Sequence, residues 1–221
     1  MIYFNELIKK AKDLKNPSRQ VLAVSGSPRK GGNTDIIVNQ IITGLRTENI
    51  DGHSVNLSNI DYSGCIGCEK CRKDKICTKL QDGMVPLYPN IIDSQGLILA
   101  SPVHNYNITS WMKAFIDRLY CFYEFDNDTR PRNWSSRLAN QSRKVVISAV
   151  CEQKDIQDLG FAIGAMKRPM EALGFEIVGT LAVFKAFEKG AVKKQEEIMN
   201  KAYELGIQLG IQLKLTGKQE A

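Results

Sequence analysis

"VLAVSGSPRKGGNT" (residues 21–34) decides how the chain is read. Four apolar residues run into a stretch with three glycines, two serines and one proline, then into a helical pattern from about Thr34. A strand, a glycine-rich turn and a helix start in this order present backbone N–H groups at a helix N-terminus, which is an anion site. Asn33 and Thr34 are placed to cap the helix or bond the anion. Ser25, Ser27 and Thr34 offer hydroxyls, and Arg29 offers a fork of donors suited to phosphate. The Walker pattern needs Gly-x4-Gly-Lys-Ser/Thr. Gly26 and Gly31 have that separation, but Gly32 and Asn33 stand where Lys and Ser/Thr belong. The dinucleotide pattern Gly-x-Gly-x-x-Gly is also absent. A single terminal phosphate, as on a mononucleotide, fits the loop better than a triphosphate. Asp35, in the first turn, counts against an anion, and a plain turn of small residues is the other reading.

Further strand-like runs occur at 53–57, 97–100, 145–150 and 175–183. Helical patterns lie between them: one carries Ile36, Ile37, Ile41 and Leu45, another spans 111–123, and two more cover 155–173 and 191–214. Trp111, Met112, Phe115, Ile116 and Leu119 have the spacing of a core-facing helix. Strands alternating with helices predict an α/β fold with a parallel sheet covered on both faces. Residues 1–18 read as a short amphipathic helical extension, with Phe4, Leu7, Ile8 and Ala11 on one face. Residues 19–221 read as one doubly wound domain. Two stretches break the rhythm: the cysteine-rich insert 59–83 and the polar segment 124–142. Ligands of such sheets bind beyond the carboxyl ends of the strands, an edge that both segments and the opening loop are long enough to reach.

The chain has 221 residues, 43% hydrophobic and 24% charged, the composition of an ordinary globular protein. Its net charge is +6, but the basic residues are scattered, which argues against nucleic acid and suits an anionic small molecule. No apolar run approaches the ~20 residues that span a bilayer, and the N-terminus lacks the apolar core of a signal peptide. A cytoplasmic location is expected. In a reducing compartment the six cysteines point to metal or redox roles rather than structural disulfides.

"LILASPVHNYNITSWMKAFIDR" (97–118) repeats the strand, loop and helix logic. Together with "SGSPRKGGNT" it resembles the flavodoxin-like FMN reductases over roughly residues 19–185. The resemblance implies a doubly wound sheet of order 2-1-3-4-5. It places FMN phosphate at Ser27, Arg29, Asn33 and Thr34, and the flavin ring at Pro102, Val103, His104, Asn105 and Tyr106. The third flavin loop of that family corresponds to "VCEQKD", which puts Cys151 and Glu152 near the ring. Tyr106 stands where many relatives have glycine, so it either stacks on the ring or restricts access to it. His104, one of two histidines, is either a plain loop residue or a proton source beside the flavin.

"GCIGCEKCRKDKIC" spaces Cys65, Cys68, Cys71 and Cys77 as Cys-x2-Cys-x2-Cys-x5-Cys. Four thiols this close are a ligand set for a [4Fe–4S] cluster or a zinc ion. A redox dithiol or inert thiols are the alternatives. The compact pattern is similar to that of the iron–sulfur flavoproteins, a branch of the same FMN family. Lys70, Arg72, Lys73 and Lys75 would offset thiolate charge. Cys121, inside a helical run, reads as a small buried hydrophobe.

The function that follows is an FMN-dependent oxidoreductase. It would take electrons from NAD(P)H or a reduced protein and pass them to a small-molecule or protein acceptor. A non-enzymatic electron carrier and a thiol-based redox sensor are the competing readings. No obligatory catalytic side chain is expected, because the flavin carries the chemistry. The resemblance also implies a homodimer or homotetramer.

Overall fold

The computed structural model describes residues 2–126 and 131–216. Its elements run α1 (Ile2–Lys12), β1 (Ser18–Ser25), α2 (Asn33–Thr47), β2 (Gly52–Asn56), α3 (Cys71–Asp74), α4 (Leu87–Asp93), β3 (Ser94–Pro102) and α5 (Ser110–Arg118). There follow β4 (Tyr123–Phe125), β5 (Trp134–Ser136), β6 (Lys144–Val150), α6 (Ala162–Ala172), β7 (Glu176–Val183) and α7 (Glu196–Thr216). Five strands pair in parallel in the order β2-β1-β3-β6-β7. These are the five expected runs in the expected order, and the fold is the flavodoxin-like α/β sandwich.

Each central strand is apolar throughout because both of its faces are covered. Alternate residues feed opposite layers. Leu22 and Val24 of β1, Leu97 and Leu99 of β3, and Val145 and Ile147 of β6 pack with α4, α5 and α6. Val21, Ala23, Ile98, Ala100 and Val146 pack on the other face with α2 and α7. Leu7 and Ala11 bury the apolar side of α1 against the first of these layers. Met112, Phe115, Ile116 and Leu119 are buried as their spacing predicts, and Trp111 is half-buried.

Three expected helices differ at their ends. The 111–123 helix stops at Arg118, continues as a 3-10 turn over Leu119–Phe122 and gives way to β4. The 155–173 helix is interrupted at Gly160, whose φ of +51° favours glycine, so a 3-10 turn (Ile156–Leu159) precedes α6. The 191–214 pattern divides into a 3-10 turn (Ala191–Lys194) and α7. The polar 124–142 segment carries the antiparallel β4–β5 hairpin; its residues 127–130 lie outside the described residues. Among the described residues no helix is long and apolar enough to cross a membrane.

Candidate active site

The carboxyl ends of β1, β3, β6 and β7 border a cavity of about 160 Å³. Ser27, Arg29 and Thr34 line one side of it. Gly32 precedes α2 without a side-chain cap, so nothing on Gly32 itself covers the N–H groups of the first turn. Asp35, whose charge counted against an anion, is engaged within the loop and does not line the cavity. Its carboxylate accepts the Gly31 N–H at 2.7 Å, the Ser25 hydroxyl at 2.5 Å and the Asn56 amide at 3.1 Å.

Asn33 is almost wholly buried, and its amide faces a distant segment. Its Nδ2 donates to the carbonyls of Ala186 and Glu188, both at 2.9 Å. Its Oδ1 accepts from the N–H of Gly190 at 2.9 Å and of Val192 at 3.3 Å. With these bonds only the backbone N–H of Asn33 is left for a ligand. Arg29 ties down the same segment: its guanidinium donates to the Phe187 carbonyl at 2.9 Å and lies 4.6 Å from the Phe187 ring centre. So held, residues 186–189 bring Phe187 and Lys189 to the cavity wall. The Lys189 ammonium lies 3.6 Å from where a Cβ on Gly31 would sit.

On the other side of the cavity are Pro102, Val103, His104 and Glu152. Residues 104–107 close a tight turn, with N–H to carbonyl bonds of 2.8 and 3.0 Å between His104 and Asn107. Asn105 and Tyr106 both have positive φ, 47° and 63°, as a hairpin turn of this hand requires. Tyr106 is exposed, and its carbonyl accepts the Phe161 N–H at 2.8 Å. Just beyond the turn, Thr109 caps α5 by accepting the Met112 N–H at 3.2 Å and donates its hydroxyl to the Gly26 carbonyl at 2.8 Å. Helix α5 therefore starts against the phosphate-type loop.

At the far end of α5 a second cavity, of about 240 Å³, is ringed by Cys65, Cys68, Cys71 and Cys77, with Tyr120 in its wall. Cys65 and Cys68 are exposed; Cys71 and Cys77 are half-buried. The Gly67 N–H points to the Cys65 sulfur at 3.4 Å. Burial, then the neighbouring Cys77, Cys65 and Cys68, push the Cys71 thiol up to about 12. Among the described residues no three His, Cys, Asp or Glu side chains converge as the ligands of one ion.

Residues 19–149 match the family described as NADPH-dependent FMN reductase. The chain belongs to that family. Curated relatives include an iron–sulfur flavoprotein of Archaeoglobus fulgidus, 33% identical over 100 residues, 45% of each chain. One from Methanosarcina thermophila is 30% identical over 99 residues, 45% of this chain and 51% of the other. The chain spans about half the length of the curated relatives it matches. Among solved structures, an FMN-dependent NADH-azoreductase of Bacillus anthracis in complex with FMN superposes with a TM-score of 0.60 at 14% identity, covering 89% of this chain and 99% of the other. An archaeal flavodoxin superposes with a TM-score of 0.54 at 13% identity, covering 88% and 99%. At such identities the superpositions speak for the fold.

Of the residues expected to contact the flavin of this FMN reductase relative, Ser27, Arg29, Asn33, Thr34, Pro102, Val103, His104 and Glu152 meet at one cavity. Ser25, Asn105, Tyr106 and Cys151 do not line it. Ser25 shapes the loop through Asp35, and Cys151 is buried, its thiol pushed up chiefly by burial. Phe187 and Lys189 escaped the sequence reading. The signal that would have found them is topological: they follow β7, whose carboxyl end shares the ligand edge of the sheet.

Proposed function

We propose that this chain is an FMN-dependent oxidoreductase with a second redox centre at its four cysteines. The observation that carries the flavin reading is the N-terminus of α2 opening, without a side-chain cap, on a cavity that also holds Arg29 and Lys189. Helix N–H groups and two cations suit a phosphomonoester dianion. The two cations stand in for the missing Walker lysine, with Lys189 arriving from far along the chain. The ring would lie toward Pro102, Val103, His104 and Glu152, where an apolar wall meets two polar side chains. FMN, when bound, supplies hydride and single-electron chemistry; the chain orients it and limits water. His104 is the proton source in this reading.

A single Zn²⁺ draws its sulfur ligands to ~2.3 Å. Four thiols set around a cavity of about 240 Å³ suit a polyatomic body such as a [4Fe–4S] cluster better. The Gly67 N–H directed at the Cys65 sulfur is the kind of contact that tunes such a centre. Helix α5 runs between the two sites: Thr109, just before it, bonds the Gly26 carbonyl, and Tyr120, just after it, lines the cysteine cavity. NAD(P)H or a reduced protein is the donor in this reading, and a small molecule or protein the acceptor. Purification without air, followed by an absorption spectrum with iron and sulfide assays, tests both centres. Flavin bands with bound iron and sulfide are expected. A colourless chain that stays so with excess FMN refutes the flavin, and flavin bands alone refute the cluster. Turnover with NAD(P)H separates an enzyme from an electron carrier.

A further inference from the structure

The insert that carries the cysteines leaves the body of the fold after Asp61 and returns at Gly83. At that neck the Gly83 N–H bonds the Asp61 carbonyl at 2.9 Å, and the Ser63 N–H bonds Asp82 at 3.1 Å. The guanidinium of Arg118, the last residue of α5, is 1% exposed and reaches both strands of the neck. On the outgoing side it donates to the Ser63 carbonyl at 2.8 Å. On the returning side it donates to the Leu80 carbonyl at 3.3 Å and to both Asp82 oxygens, at 2.7 and 3.0 Å. Its own carbonyl accepts the Tyr88 hydroxyl at 3.1 Å, which fixes the helix end from the other side. Arg137 adds a weaker restraint at mid-loop through the Lys75 carbonyl at 3.0 Å.

We propose that Arg118 is the positioning residue of the cysteine cavity, holding the outgoing and returning strands of the 63–82 loop together and so fixing the spacing of its four thiols. This rests on reading that cavity as the cluster site. A planar fork with five donors can span two strands and a carboxylate at once; a lysine ammonium cannot. The loop itself has only the four residues of α3 as regular structure, so its shape comes from such anchors. Because Arg118 ends the helix that Thr109 ties to Gly26, the clamp also sets where the thiols stand relative to the first cavity.

The test uses the full chain in two variants, Arg118→Lys and Asp82→Asn. Iodoacetamide labelling of each cysteine is followed by mass spectrometry, after iron has been stripped with a chelator. Labelling of half-buried Cys71 and Cys77 is expected to speed up by at least about tenfold in both variants as the neck opens locally. Exposed Cys65 and Cys68 should change little, and buried Cys121 should not change, which reports an intact core. FMN affinity is expected to hold. Reconstituted with ferrous iron and sulfide, the variants should retain iron about 10- to 100-fold less well against a competing chelator. If Arg118→Lys exposes Cys121 in parallel, its core is damaged and Asp82→Asn decides by the same ratio. Unchanged labelling of Cys71 and Cys77 in Asp82→Asn overturns the proposal. A wild-type chain that takes up no iron, beside variants that still expose Cys71 and Cys77, keeps the clamp and removes the cluster.

Discussion

Replacing Asn33 with alanine separates two roles for one amide. Sequence places Asn33 at the phosphate; the structure gives its side chain four hydrogen bonds to residues 186–192. Three are 2.9 Å and one is 3.3 Å, and the residue is 7% exposed, so water replaces them poorly. At a net ~0.5–1.5 kcal/mol per bond, with the longest discounted, the loss is about 1.5–4.5 kcal/mol. Urea unfolding of the flavin-free chain should show this as a lower midpoint with an unchanged slope. Working without flavin keeps ligand binding out of the comparison. Loosening the Phe187 and Lys189 wall should also weaken FMN by about tenfold, read from quenching of flavin fluorescence. Asn33→Asp keeps both acceptor bonds but sets a buried carboxylate oxygen about where Nδ2 lies, 2.9 Å from two carbonyl oxygens, so its stability should fall at least as far as alanine's. The reasoning fails if Asn33→Ala unfolds at the wild-type midpoint yet binds FMN a hundredfold more weakly. That pattern belongs to an amide bonded to the phosphate, not to a latch.

Lys189→Met removes a cation beside the phosphate-type loop. FMN should bind about 3- to 10-fold more weakly at low salt, with the difference narrowing at high salt as charge is screened. Gly83→Ala puts a Cβ 2.7 Å from the Asp61 carbonyl oxygen, which is backbone and cannot turn aside; it should cost ~1–3 kcal/mol in thermal or urea unfolding and speed labelling of Cys77. Acid should open the neck. Burial alone would raise the Asp82 carboxyl, but hydrogen bonds from Arg118 and the Ser63 N–H, with the Arg118 charge, hold it below the usual carboxylate range. A depressed carboxyl stabilises above its unfolded value of ~3.9 and loses that contribution as pH falls through the folded value. Labelling of Cys77 with dipyridyl disulfide should therefore rise below about pH 4 in wild type. Asp82→Asn should be already open and insensitive to pH there.

The sheet was legible because each central strand is buried on both faces and reads as an unbroken apolar run ending in turn residues. The phosphate-type loop was legible for a local reason: strand, small residues and helix start are contiguous from Val21 to Thr34. Lys189 was not, because its place beside Gly31 depends on β7 ending at the same edge and on Asn33 gripping a segment 153–159 positions away. The β4–β5 hairpin was hidden because each strand has three residues, too few to show a period. Arg118 was hidden differently. At the end of an amphipathic helix it reads as a favourable charge near the C-terminal dipole, and spacing gives no hint that its guanidinium is buried.

The place of Arg118 bears on how the sites relate. Helix α5 was recognised from its apolar face, which only says that it packs on the sheet. Its polar ends decide the rest. Thr109 fastens one end to the Gly26 carbonyl beside the first cavity, and Arg118 fastens the other to the neck of the cysteine loop. A Cβ on Gly26 would stand 2.9 Å from the Met112 Cβ, so the loop and the first turn of α5 have no slack between them. A helix with i to i−4 bonds changes length very little. One rigid element thus joins two otherwise irregular loops, and loosening the Arg118 end leaves the Thr109–Gly26 bond at the other end in place.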